Sequence, residues 1–359
     1  MSFVGDDTSN WRRLIPGGII TMAGTVLIAG ASGLVGAAAV DKFLNEGWNV
    51  IAASRRKPEV DSTRPFTHIA LDLQDPAACK EAAKGFADVT HVIYTAVFEL
   101  PGLVPGWSEK IQMDTNLQML QNLLDPLTGA AKGLKHVSLL QGTKAYGVHL
   151  HPIRVPARER YPRDNHENFY WLQEDYLKAK SKQEGFAFSI WRPQLIVGPN
   201  YGVVMNLPPI IGAYAAICKE EGRPFSFPGG AAWVWEAVDT NLVADALFWG
   251  ASAEAAKGET FNLTNGEVFE WRDIWPDMAK VLGVEVAPAE TVLRDILHEL
   301  VAVGVFASRA SDRGAVWGIP ATRIEFVDVA PSATGAPPTE LRCSVCANRH
   351  YAAPERFAD

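Results

Sequence analysis

The chain has 359 residues, 48% of them hydrophobic and 21% charged, the balance of a globular protein with room for one large domain or two modest ones. Its net charge of -8, from 41 acidic against 33 basic side chains, argues against a general nucleic-acid binder. No stretch reaches the roughly 20 apolar residues of a membrane-spanning helix, and four cysteines give no disulfide framework, so the expected location is a reducing cytoplasm.

Residues 1–21 carry Trp11-Arg12-Arg13 and a short apolar run broken by Pro16-Gly17-Gly18, too interrupted for a signal peptide. Met22 stands directly before the first strand signal, so these residues are expected to form an unstructured N-terminal extension. Thr25-Val26-Leu27-Ile28-Ala29 reads as a strand, and Ala37, Val40, Phe43 and Leu44 share one face of a helix. Between them lies Gly30-Ala31-Ser32-Gly33-Leu34-Val35-Gly36. In such a turn the first glycine permits the tight bend, the second lets backbone approach a pyrophosphate, and the third lets the helix pack close to the sheet. The helix N-terminus then offers free N–H groups to the phosphates. Gly30, Ser32, Gly33, Leu34, Val35 and Gly36 are therefore the candidate cradle of a nicotinamide dinucleotide in a Rossmann-type fold.

The second strand, Asn49-Val50-Ile51-Ala52-Ala53, ends at Ser54-Arg55-Arg56-Lys57. A carboxylate here would bind the ribose hydroxyls of NAD. Guanidinium groups instead suit a 2′-phosphate, so the expected cofactor is NADPH, held in part by Ser54, Arg55 and Arg56. Further apolar runs at 66–71, 89–95, 134–140 and 186–191 alternate with helical patterns, which predicts a doubly wound parallel sheet with its ligand at the carboxyl ends of the strands. Asp72 and Leu73, after the third strand, are expected to meet the adenine. Thr95, Pro193 and Ile196 complete the cofactor-binding candidates.

The main domain is read as 22–199, with 236–255 returning to it. Residues 200–235, rich in Pro, Gly and aromatics, and 256–300 are read as a smaller α/β substrate domain, the second part as a strand, a turn and two helices. Phe98, Trp107, Tyr146, Tyr201, Met205 and Trp233 are candidate pocket residues, each equally explained as core. Residues 301–359 form an atypical tail of weak periodicity. Cys343 and Cys346 with His350 make a single C-x-x-C without a second pair, so no metal site is expected.

Short-chain dehydrogenases usually carry Tyr-x-x-x-Lys on the helix after the fifth strand, the lysine holding the ribose and lowering the tyrosine pKa. Tyr176-x-x-x-Lys180 has that spacing but leaves 16 positions to Arg192, short for a helix and a strand. Tyr170 leaves 22, yet position 174 is Glu. On the residues alone, both tyrosines stay open.

Asn168-Phe169-Tyr170-Trp171-Leu172-Gln173-Glu174-Asp175 resembles the N-F-Y-x-x-x-E-D signature of the progesterone 5β-reductase/iridoid synthase-like enone reductases, atypical extended short-chain dehydrogenases. The family takes its lysine from a separate G-x-K-x-Y motif, matched here by Gly142-Thr143-Lys144-Ala145-Tyr146. The likeness continues through Trp191-Arg192-Pro193, 217–225 and 261–266, covering about Ala23 to Glu290; the tail departs from it. The resemblance implies Tyr170 and Lys144 as catalytic pair and a 1,4-reduction, in which hydride reaches the β-carbon of a small apolar enone or enal and Tyr170 stabilises the enolate oxygen. A carbonyl reductase or sugar-nucleotide epimerase, and a non-catalytic NADP sensor, are the competing expectations. A homodimer is compatible with the sequence, though no feature specifies one.

Overall fold

The computed structural model describes residues 24–100, 105–200, 206–229 and 234–286. Tyr201, Met205, Trp233, residues 1–21 and the tail with its cysteines lie outside them.

The strand signals fold as seven parallel strands. In chain order β1 (Thr25–Ala29), β2 (Asn49–Ser54), β3 (Thr67–Ala70), β4 (Val89–Tyr94), β5 (His136–Leu140) and β6 (Ala187–Pro193) are joined by β9 (Thr260–Leu263). The sheet order is β3-β2-β1-β4-β5-β6-β9. Val26, Leu27, Ile28, Val92, Ile93, Val137 and Leu139 are fully buried, as expected of strands covered on both faces.

Alternation along each strand divides the core in two. On one face α1 (Leu34–Asn45) and α6 (Thr240–Ser252) pack together, Val35, Val40 and Phe43 against Val243 and Leu247. On the other, α3 (Lys110–Ala130) and α4 (Phe169–Glu184) bury Leu120, Leu123, Leu127 and Leu177 beside Leu139 and Ile190. The short α2 (Pro76–Ala82) follows β3, its N-terminus capped by the Asp75 side chain.

A three-stranded sheet of order β10-β8-β7 stands apart, made of β7 (Leu195–Val197), β8 (Trp235–Asp239) and β10 (Val268–Phe269). The helices α5 (Leu207–Glu220) and α7 (Trp271–Leu282) accompany it; Phe225 stacks on Trp275 of α7 at 4.4 Å. One expectation is corrected. The strand at 260–263, read as part of the smaller domain, is the outer strand of the main sheet. Phe261 stacks on Trp191 at 4.9 Å, and the Ile190 N–H donates to the Glu259 carbonyl, which ties the segment to the open edge of β6.

Candidate active site

In the sheet order β1 and β4 are neighbours, and the connection from β1 leads to β2 on one side while that from β4 leads to β5 on the other, which opens a crevice between their carboxyl ends. The glycine turn fills that position. Gly30 has φ of +81°, and a Cβ there would lie 2.7 Å from the Ala96 backbone nitrogen. A Cβ on Gly36 would collide with the Gly30 carbonyl oxygen, so only glycine lets α1 start this close to the strand. The Gly33 N–H donates to the Gly30 carbonyl at 2.9 Å, and Gly33 caps α1 without any side-chain hydrogen bond. The first N–H groups of the helix thus have no intrahelical acceptor, and no acidic side chain occupies its first turn. A phosphate group fits this cradle.

Across the crevice, Thr95 follows β4 and its hydroxyl donates to the Ala29 carbonyl at 2.9 Å. At the end of β2, the Ser54 hydroxyl donates to the Arg56 carbonyl at 2.6 Å, closing a turn that leaves Arg55 and Arg56 exposed. Asp72 is exposed after β3, whereas the Leu73 side chain lies in the core and its carbonyl accepts from Asn122. Pro193 ends β6, and Ile196 in β7 packs against the α1 side of the core.

Lys144 and Tyr170 come from different elements, and both pack against Trp107 beyond the end of β5. Lys144 lies in a short 3-10 turn, Thr143–Tyr146, directly after that strand. Tyr170 is in the first turn of α4. A Cβ on Gly142 would lie 3.3 Å from the Tyr170 hydroxyl, so this glycine leaves room for it. Trp107 joins the two. Its ring lies 5.3 Å from that of Tyr170, edge to face, and the Lys144 ammonium sits 3.7 Å from its centroid. The Trp107 N–H donates to Glu99 at 3.3 Å.

Burial pulls the Lys144 pKa down to about 8, with the Glu99 carboxylate opposing it. Burial pushes the Tyr170 phenol above its ordinary value; Glu99 acts the same way and Arg192 against it. Tyr170 therefore remains protonated at neutral pH and can donate a hydrogen bond. The competing pair points elsewhere. The Tyr176 hydroxyl donates to Asp125 at 2.8 Å, and Lys180 pairs with the same carboxylate at 2.9 Å. Both side chains are engaged with α3.

One feature of the site escapes local sequence reading. Where ordinary spacing would put a lysine, Glu174 is buried. It takes Arg192 at 3.3 Å, Arg163 at 2.9 Å and Lys178 at 2.7 Å. Burial alone would raise its pKa, but hydrogen bonds from Lys178 and Arg163 outweigh that and hold it below the ordinary carboxylate value. Gln141 links this network to Tyr170: it accepts from Arg192 at 2.9 Å and donates to the Tyr170 carbonyl at 3.2 Å. The nearest signal in the sequence was Lys178, one turn after a glutamate. Tyr146 belongs to the far side of this network. Its hydroxyl donates to Asn262 at 2.7 Å, its ring lies over the Arg192 guanidinium, and it lines a cleft of about 210 Å³ with Trp171 and Glu174. Phe98 packs at the edge of the α3 core, its backbone held at both ends by the Asn116 amide.

Residues 26–263 match the model of the NAD dependent epimerase/dehydratase family. The chain belongs to that family. It is 31% identical over 323 residues to an (S)-8-oxocitronellyl enol synthase of Nepeta cataria, covering 84% of this chain and 79% of the relative. It is 34% identical over 278 residues to a 3-oxo-Delta(4,5)-steroid 5-beta-reductase of Arabidopsis thaliana, covering 72% and 69%. Within the family it thus groups with the progesterone 5β-reductase/iridoid synthase-like proteins, as the two displaced motifs imply. Among solved structures, the UDP-glucose 4-epimerase of Thermus thermophilus in complex with NAD superposes with a TM-score of 0.58 at 20% identity, covering 74% of this chain and 86% of that one. That likeness is one of fold. No helix among the described residues is long and apolar enough to cross a membrane, and among them no group of three or more His, Cys, Asp or Glu side chains could hold a metal ion.

Proposed function

We propose that this family member is an NADPH-dependent reductase of the activated C=C bond of small apolar enones or enals. The observation that carries this is that Lys144 and Tyr170 both pack on Trp107, with the Tyr170 hydroxyl beside Gly142, while Tyr176 and Lys180 are tied to Asp125. The names of the two plant relatives support the same chemistry. The glycine cradle at α1 would hold the pyrophosphate. Arg55 and Arg56, with no carboxylate beside them, favour a 2′-phosphate and so NADP over NAD.

Bound there, the cofactor supplies a hydride to the substrate's β-carbon. The electron pair of the C=C bond would shift toward the carbonyl oxygen to give an enolate, whose α-carbon would then take a proton from water. Tyr170, kept neutral by its surroundings, donates a hydrogen bond to that oxygen as charge builds on it. Such a fixed donor in a dry site lowers the barrier most where the charge is greatest. Lys144 holds the ribose and adds positive charge near the same oxygen.

The test is incubation of the protein with NADPH and cyclohex-2-en-1-one, following nicotinamide absorbance and product identity. The saturated ketone is the expected product. An allylic alcohol would mean hydride reaches the carbonyl carbon, and tight NADPH binding without turnover would make the protein a sensor; either overturns the reading.

A further inference from the structure

In a Tyr-x-x-x-Lys pair the helix itself fixes the distance between the two side chains, since residues four apart are neighbours on one face. Here the lysine is in a 3-10 turn and the tyrosine on a helix. Some other contact must set their separation. Asn168, only 3% exposed, touches the backbone of both. Its Oδ1 accepts the Tyr170 N–H at 2.9 Å and so caps α4, and its Nδ2 donates to the Lys144 carbonyl at 3.0 Å. Both partners are main-chain groups of fixed polarity, so the amide can face only one way.

We propose that Asn168 is the positioning residue that holds Lys144 and Tyr170 in register, replacing the helical spacing this chain lacks. The proposal rests on those two residues forming the catalytic pair. A capping role alone does not account for the residue type. Ser and Asp cap helices about as well as Asn, but neither has an amide donor for a second carbonyl. The surroundings support the second role. The Nδ2 group also approaches His166 Nε2 at 3.1 Å, and His166 Nδ1 lies 2.7 Å from Asp164. A donor on Nδ2 requires the bare nitrogen of His166 at Nε2, which puts the His166 proton on Nδ1, facing the Asp164 carboxylate. Each link of the chain Asp164–His166–Asn168–Lys144 then pairs a donor with an acceptor, and the Asn168 amide is held from behind.

The experiment compares Asn168→Ser and Asn168→Asp with the parent protein, using NADPH and cyclohex-2-en-1-one, with Tyr170→Phe alongside. Both Asn168 variants keep an acceptor for the Tyr170 N–H and lose the amide N–H that reaches the Lys144 carbonyl. The expected result is a kcat lowered roughly tenfold to a hundredfold, the scale on which small misplacements of catalytic groups act, with the thermal midpoint little changed. A capping role alone survives in both variants and would leave kcat and the midpoint unchanged, and a merely structural bond to Lys144 would lower the midpoint with kcat unchanged at temperatures where the protein is folded. If either folded variant keeps kcat within about twofold of the parent while Tyr170→Phe is inactive, the positioning role is wrong and the catalytic assignment stands. If Tyr170→Phe turns over like the parent, the catalytic assignment itself fails.

Discussion

The Lys144 ammonium lies against the face of Trp107, 3.7 Å from the ring centroid, and the edge of the same indole donates to Glu99. One tryptophan therefore separates the cation from the acid. Glu99 acts on Lys144 through space, opposing the burial that pulls its pKa to about 8. An ammonium with that pKa is charged below pH 8 and loses its charge as pH rises through 8, well before an ordinary lysine would. Since kcat/KM reports the free enzyme, its value for NADPH is expected to fall between pH 7 and 9. Glu99→Gln removes the opposing influence, so the alkaline limb should move to lower pH. A limb that stays in place in this variant would show that Glu99 does not tune Lys144.

Tyr170→Phe deletes the hydroxyl beside Gly142 without removing the ring that packs on Trp107. Turnover should fall by about 10²–10³, the usual effect of losing one donor to a developing oxyanion, with NADPH affinity nearly unchanged in a fluorescence titration. Tyr176→Phe should leave turnover intact. It costs the hydrogen bond to Asp125, about 1 kcal/mol or less at this accessible position. The opposite pattern would reassign the tyrosine.

How far the sequence could be read depended on how local each signal was. The glycine turn, six strands of the main sheet and the helix faces follow from patterns a few residues long, and they appear where periodicity put them. The partnership of β9 with β6 depends on Phe261 finding Trp191, which lies 70 positions earlier, and no window of residues contains that contact. The same holds for Arg192, Glu174 and Gln141, which meet from two strand ends and a helix. Position 174 looked like a missing lysine because the pattern assumed one helix carries the pair. The reading of Lys144 with Tyr170 as the catalytic pair rests on resemblance to a family, since spacing alone favours neither tyrosine. Tyr146 illustrates the limit at side-chain level: an aromatic two positions after Lys144 reads as pocket lining or packing, and nothing local signals that its hydroxyl is engaged by Asn262 on β9.

Cofactor choice can be tested at the end of β2. The turn closed by Ser54 leaves the Arg55 and Arg56 side chains exposed. Replacing both with Ala should weaken NADPH binding by roughly ten- to a hundredfold, the value of one or two charge-assisted hydrogen bonds. NADH has no 2′-phosphate, so its affinity should change little. Equal losses for the two cofactors would point to a general electrostatic effect and against recognition of the phosphate.

Acid stability follows from two histidines at the opposite ends of their strands from the candidate site. His91 and His136 are both buried, with ring centroids 6.4 Å apart. Each is held by a hydrogen bond that needs no positive charge: His91 Nε2 lies 3.0 Å from the Ala251 carbonyl, and His136 Nε2 lies 2.9 Å from the Ser189 hydroxyl. Burial is the main cause that lowers their pKa values, to about 4 for His91 and about 3 for His136. In the unfolded chain both return to about 6.5. Between those limits the unfolded state binds protons that the folded state refuses, so stability must fall as pH drops below about 6.5, and the loss is complete only below the folded values. At pH 5 the penalty is about 2 kcal/mol per histidine, from a gap of roughly 1.5 pH units below the unfolded pKa. Urea unfolding at pH 7 and pH 5 should show the midpoint falling accordingly. His91→Gln keeps a side-chain donor near the Ala251 carbonyl but cannot titrate, so its midpoint should fall by about half as much over the same interval. A parent midpoint that does not move between pH 7 and 5 would mean that the pair already carries a proton in the folded protein.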